Sequence, residues 1–283
     1  MAQRIMFASF FLLISLCLIA CGGGNSPQPP AETPAAASPV TETLSTPSAP
    51  ESKGLTKISD MLDAWNTLYD QNEAVINDYE GMPIMELVTP AATFIGSVQF
   101  DILNLDNKDG QYSGTLPLAG YKGQMEKSGS MITFGWDHTM EKDGFGPLAK
   151  KGDHLLENGF LDLDKEYYRE ERTTDRAGQR IARSYNEFKR LADGSMICLV
   201  FNGQAMDARG NAATSDSVIY LHNGPGRYDF VIAKGTTGPG FTPFSFAEKG
   251  DLTKDQAIEL FRNAGYTIDK TGGIKDGKLV LDK

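Results

Sequence analysis

The chain has 283 residues, 40% of them hydrophobic and 23% charged, which excludes a compositionally disordered protein and supplies enough apolar surface for a core without staples. Its formal net charge of −10 weighs against nucleic acid as a partner and against unassisted docking on anionic lipid headgroups.

In chain order, the first element is an apolar run from Ile5 to Ala20 behind a short head carrying Arg4. A spanning helix needs about 20 residues and signal-peptide cores use about 7–15, so the run reads as a signal core. It ends in Leu18-Ile19-Ala20-Cys21. Leu at −3, Ala at −1 and Cys at +1 resemble the lipobox of bacterial lipoprotein precursors. The resemblance implies removal of residues 1–20 between Ala20 and Cys21, and lipid attachment to the Cys21 thiol. Gly22 stands where Gram-negative lipoproteins often carry an Asp that retains them at the inner membrane. In a two-membrane host this similarity favours the outer membrane; the address is otherwise the cell membrane, on the exported side.

Residues 21–53 are rich in Pro, Ala, Ser and Thr and hold no aromatic residue, so they cannot bury enough surface to fold. They read as a disordered tether with a span of roughly 30 Å. Residues 54–283 are then one globular domain, with 250–283 set apart in style as a candidate C-terminal subdomain.

Order begins near Thr56. Ile58, Met61, Leu62, Trp65, Leu68, Tyr69, Val75, Ile76 and Tyr79 recur at helical steps until Gly81 and Pro83 stop them, predicting a long amphipathic helix. Residues 84–127 are ambiguous. Thr89-Pro90 suits a helix start, with Phe94, Ile95, Val98, Ile102 and Leu105 behind it, although Val98, Phe100 and Ile102 also alternate as a strand would. From about Gly129 the pattern turns to antiparallel β. Ile132, Phe134, Trp136, His138 and Met140 share one face of a strand. Lys165–Asp175 and Gln179–Leu191 flank Arg176-Ala177-Gly178 as a three-residue hairpin loop, a register that sets Glu171 opposite Arg183 and Tyr167 opposite Glu187. Ser195–Phe201 is apolar on both faces and reads as a covered central strand. Ser217–His222, a turn at 223–226 and Arg227–Ala233 continue the meander. Thr253-Lys-Asp-Gln256 matches a capping box, and short strands follow at Tyr266–Ile268 and Lys278–Leu281.

The chemistry-bearing residues are sparse. Beyond the signal there is no HExxH, CxxC, SxxK or GxSxG. Cys17 falls in the signal and Cys21 at the lipid site, so Cys198 alone remains, as a buried small hydrophobe. Asp137-His138 and Asp153-His154 invite a triad reading, but neighbours on a strand point to opposite faces, so Asp137 cannot orient His138. His154 reads as a loop residue and His222 as bordering a turn. Gly272–Lys278 has phosphate-loop spacing without the Ser or Thr and the helix it needs, and Asp106–Gly110 looks calcium-like, but the loop frame fixed by Gly110 starts at Leu105 and ends at Leu116, neither of which can supply the carboxylate required. Glu166, Glu170 and Glu171 stand beside Arg169, Arg172 and Arg183, which suits cross-strand ion pairing better than acid–base catalysis.

The expected fold is α+β: an antiparallel meander packed against a long N-terminal helix, with a small C-terminal helix and hairpin. Its layout is loosely similar to envelope lipoprotein-carrier proteins, whose curved sheets hold helices. The expected function is that of a non-enzymatic, lipid-anchored envelope protein. It would bind an unidentified ligand or envelope partner through one face of the sheet, with Trp136 as a ligand-face residue. No catalytic residue, metal or cofactor is expected, and the membrane partner is reached through the N-terminal lipid. An anchored hydrolase with a dispersed catalytic set and a structural assembly factor are the alternatives.

Overall fold

A computed structural model of the chain describes residues 54–77, 96–144, 149–207, 209–240 and 244–282. Eleven strands form one antiparallel sheet whose spatial order is the chain order. The first are β1 (Gly110–Thr115), β2 (Lys122–Ser128), β3 (Met131–Thr139) and β4 (His154–Asp162). β5 (Tyr167–Arg176), β6 (Gln179–Arg190), β7 (Met196–Met206) and β8 (Ala212–Gly224) make the middle. β9 (Arg227–Gly235), β10 (Thr267–Lys275) and β11 (Lys278–Leu281) complete it. The described helices are α1 (Ile58–Asn77), a 3₁₀ helix (Gln99–Asn104), a 3₁₀ turn (Gly238–Gly240), α2 (Phe246–Lys249) and α3 (Lys254–Asn263). The antiparallel meander of the α+β expectation is thus present, and the sheet dominates.

Strand β7 shows why the sheet needs cover on both sides. Its residues Met196–Phe201 are all buried, so every side chain of that run leaves water. Met196, Cys198 and Val200 join one apolar cluster, and Ile197, Leu199 and Phe201 join another. The first cluster takes in α1 through Ile58, Met61, Trp65, Leu68 and Ile76, with the Trp65 ring edge-on to Phe188 at 5.4 Å. The second is closed by Phe246, Leu252, Ala257, Phe261 and Tyr266 from the C-terminal helical region. Burial of a large side chain stabilises by about 1.5–3 kcal/mol, so the two layers secure the middle strands from opposite sides.

Polar contacts fix where the helices sit. Asp101 Oδ1 and Oδ2 accept the Ile58 and Ser59 N–H groups at 3.0 and 2.8 Å, satisfying donors that a helix start leaves unpaired. Further along α1, the buried Asn72 Nδ2 donates to Asn223 Oδ1, Gly224 O and Arg227 O at 2.8–3.1 Å, joining the helix to the β8–β9 hairpin. Thr253 caps α3 with the reciprocal side-chain bonds of a capping box to Gln256.

Several expectations need correction. The sheet starts at Gly110 rather than near Gly129: β1 and β2 are short and polar, with little apolar alternation to announce them. His154 opens β4 rather than lying in a loop, and His222 is inside β8. Residues 99–104 are a 3₁₀ helix, whereas Thr89-Pro90, Phe94 and Ile95 lie outside the described residues, as do Tyr79, Gly81 and Pro83. The β5–β6 loop has two residues, Ala177 and Gly178, both with positive φ (49° and 77°), as a tight hairpin turn demands. A bulge then skips Ile181, so Thr173 faces Arg183, Glu171 faces Tyr185 and Tyr167 faces Lys189. Gly272–Lys275 belongs to β10, and the turn that follows is Asp276-Gly277.

Cys198 tests the doubly covered strand. Burial pushes its thiol pKa well above the ordinary value, so the native protein should resist alkylation and react only once unfolded. Cys198→Asp should cost more than about 3 kcal/mol in denaturant unfolding, and Cys198→Ala about 1 kcal/mol. Rapid labelling of the native thiol would contradict the assignment.

Candidate functional site

The register brings together three charged residues that are dispersed in sequence. Trp136, Glu157, Arg172 and Ser184 are successive partners across β3, β4, β5 and β6. The next row on the same face runs Phe134, Gly159, Glu170, Asn186. Gly159 is required there: a Cβ on it would lie 2.3 Å from the Phe134 ring, which fills the space and stacks on Tyr168. Glu157, Glu170 and Asn186 are therefore drawn inward by strand alternation, on the face that carries Leu161, Tyr168 and Phe188.

Arg172 holds the two carboxylates together. Its Nε donates to Glu157 Oε2 at 2.7 Å and its Nη2 to Glu170 Oε2 at 3.1 Å. Ser97, immediately before the 3₁₀ helix region, donates to Glu170 and lies 3.5 Å from Glu157 Oε1. Tyr168 OH and Asn186 Nδ2 also donate to Glu170, at 2.6 and 2.7 Å. Glu170 thus accepts from four donors. Gly96 is pressed against the guanidinium, where an added Cβ would meet Nη2 at 2.4 Å.

Glu157 is the poorer served of the two. Its pKa is pushed up to about 7, first by burial and also by the Glu170 charge, while Arg172 pulls the other way. The Trp136 indole N–H faces this carboxyl without reaching hydrogen-bond geometry. Burial opposes the charge of Arg172, yet the Glu157 and Glu170 carboxylates outweigh it and hold its pKa above the ordinary value. Burial, and then Glu170, raise Tyr168 far above the phenol range. Beside the network, Tyr121 stacks on His138 with centroids 4.0 Å apart and meets Trp136 at 5.3 Å, forming a half-buried aromatic rim.

The structure scatters the other residues that sequence singled out. His138 is taken up by Tyr121, while Asp137 reaches across to His154 Nε2 at 2.7 Å on the exposed face. Glu171 pairs with Arg183 at 2.7 Å and Glu166 lies 3.7 Å from Arg190, as ion pairs. His222 is buried with Nε2 2.8 Å from Ser195 Oγ, but Asp193 accepts from that same hydroxyl at 2.5 Å instead of from the ring. A nucleophile–base–acid relay requires the acid on the far ring nitrogen, and His222 Nδ1 is buried with no hydrogen-bond partner. Among the described residues, no group of three or more His, Cys, Asp or Glu is placed to hold a metal ion.

Trp136 sits on the network side, so its immediate neighbours Gly135 and Asp137 project from the opposite face. That face is open over β1–β4, where Gln111, Ser113, Gln124, Thr133, Asp137 and Asn158 line a shallow polar depression. Glu157, Ser97, Tyr168 and Asn186 escaped sequence reasoning. The available signal was Glu157 itself, a lone acid at an inward position in His154-Leu-Leu-Glu-Asn-Gly-Phe160, legible only once β4 is recognised. Comparisons with protein families, curated proteins and solved structures find no match.

The buried acid makes stability pH-dependent. Because its folded pKa lies above the ordinary 4.5, the native state keeps this proton while the unfolded state loses it. Its contribution is full below the unfolded value and is lost as pH rises through the folded one. Glu157→Gln should therefore gain about 2 kcal/mol on wild type between about pH 5 and about pH 8, read as the change in melting-temperature difference. A difference that is flat with pH, or that falls, would refute the buried protonated acid.

Proposed function

We propose that this chain is an exported, lipid-anchored envelope protein that binds a ligand or partner non-covalently through its sheet. The carrying observation is Leu18-Ile19-Ala20-Cys21 behind an apolar core and ahead of a tether, a combination that supplies signal, acylation site and spacer. Among the described residues no helix is long and apolar enough to cross a membrane, so the lipid is the attachment this reading relies on. An architecture with α1 as the long N-terminal helix against the meander is loosely similar to that of envelope lipoprotein carriers, a likeness of layout alone.

Non-covalent binding is favoured by how the polar groups are engaged. Glu170 is saturated by donors, and the Asp193–Ser195–His222 set has the wrong order for acyl transfer. The exposed polar strip of β1–β4 and the aromatic rim around Trp136 offer surfaces for recognition rather than for bond making. The membrane partner is reached through the lipid on Cys21; the ligand or envelope partner would use one of these two surfaces.

In its native host, wild type should incorporate labelled fatty acid and float with membranes, whereas Cys21→Ala should do neither. Absence of label from wild type would sink the anchor. Native mass spectrometry of the protein extracted from that host should show a retained ligand or a partner protein, and a bare chain at every extraction strength would count against the binding role.

A further inference from the structure

One apolar ridge is left uncovered, and the place where the chain enters the domain says what lies against it. The 3₁₀ helix has three residues per turn, so Gln99, Ile102 and Leu105, its C-cap, fall on one side while Phe100 and Asn104 are buried on the other two. Gln99 is itself covered, because its Oε1 accepts the Leu118 and Ala119 N–H groups at 3.2 Å each. Those bonds hold the β1–β2 turn, and with it Leu118, beside this side of the helix. Leu118 is 52%, Ile102 51% and Leu105 81% exposed. The other large hydrophobics with such exposure among the described residues, Val280 and Leu281, lie on β11, so the ridge is a concentration and not a scatter.

The ridge is also where the domain meets its leader. Asp101, between Phe100 and Ile102, takes the first N–H groups of α1, so the chain arriving from residue 54 enters against this 3₁₀ helix. Lys57 precedes α1, Lys108 follows the ridge and Lys122 follows the β1–β2 turn. They offset three of the four acids Asp60, Asp101, Asp106 and Asp109, leaving this edge one charge negative in a chain of net charge −10. The repulsion from headgroups that the whole-chain charge implies is therefore weak here.

We propose that the ridge Leu118–Ile102–Leu105 seats in the interfacial zone of the bilayer that holds the Cys21 acyl chains. The proposal rests on the lipid-anchored reading. A tether of about 33 residues keeps the domain at millimolar effective concentration above the bilayer, so three apolar side chains suffice for a contact that would be negligible from free solution.

The test uses the lipidated full-length product, reconstituted into phosphatidylethanolamine–phosphatidylglycerol vesicles, with an environment-sensitive fluorophore on Leu105→Cys. The acylated Cys21 and buried Cys198 leave the introduced thiol as the one to label. Position 105 is exposed enough to accept the change without loss of packing. Emission should shift to the blue and be quenched several-fold more by lipids with nitroxides near the headgroup than a label on Gln179→Cys, at the exposed β5–β6 tip. Adding Ile102→Asp and Leu118→Asp should abolish the shift while the protein still floats. Protein that floats with an unquenched label at 105 overturns the docking and leaves the anchor standing; protein that fails to float overturns both. A blue shift that persists in Cys21→Ala protein free of both vesicles and detergent would assign the ridge to a protein contact and overturn the proposal.

Discussion

Strand β7 has apolar side chains pointing both ways, and a sheet containing such a strand cannot be left with one face in water. The lateral row Ile132, Leu161, Tyr168, Phe188, Cys198, Leu221, Phe230 crosses seven strands and is buried along its length. Covering that row requires α1. Covering the alternate row through Leu199, Tyr220 and Val231 requires the C-terminal helices. Because strand order follows chain order, no central crossover supplies a lid, and both covers come from segments flanking the run β1–β9. The two ends of the sequence are thus tied to one sheet by the same requirement.

The acid–arginine network marks where that requirement lapses. Moving along the strands from the Cys198 row, the side chains change from wholly apolar to Glu170 and Asn186, and then to Glu157 and Arg172. Two carboxylates about one guanidinium lose hydration that their mutual attraction does not fully return, so a hydrophobic replacement of similar shape would be at least as stable. Register is what such a group secures. A slip of one residue in β4 would turn Glu157 away from Arg172, and one in β5 would turn Glu170 and Arg172 together away from Glu157 and Asn186, a penalty that interchangeable apolar partners would not impose.

Legibility in the sequence followed how local each determinant is. Ser195–Phe201 announces a doubly covered strand within seven letters, and Thr253–Gln256 announces a helix start within four, because each pattern is closed within one element. The β5–β6 pairing was missed by two positions, since the tight Ala177-Gly178 turn and the bulge at Ile181 each shift the count by one; their combined shift preserved every residue's face. β1 and most of β2 fall in the stretch 84–127 that sequence leaves undetermined, because polar strands at the end of the sheet carry little apolar alternation. The network was invisible for a different reason: Ser97, Glu157, Glu170 and Asn186 come from separate elements, and only the register of four strands makes them neighbours. The run Leu18–Cys21 is the converse case: its resemblance to a lipobox is read from sequence alone, and it lies outside the described residues.

The edge of the domain at which residue 54 enters is held by side chains that hydrogen-bond across elements. Asp101 binds the start of α1, Gln99 binds the β1–β2 turn, and Asn104 closes the turn after the 3₁₀ helix by exchanging bonds with Lys108 at 2.8 and 3.1 Å. Each of these side chains serves two elements, so α1, the 3₁₀ helix and the first hairpin share one frame. At its other end α1 is fastened to the β8–β9 hairpin through Asn72. A constraint applied where residue 54 enters therefore reaches the body of the sheet through hydrogen bonds and not through a hinge. With the ridge seated as proposed, the orientation of the polar strip on β1–β4 relative to the bilayer is a property of the fold, because ridge and strip share that frame.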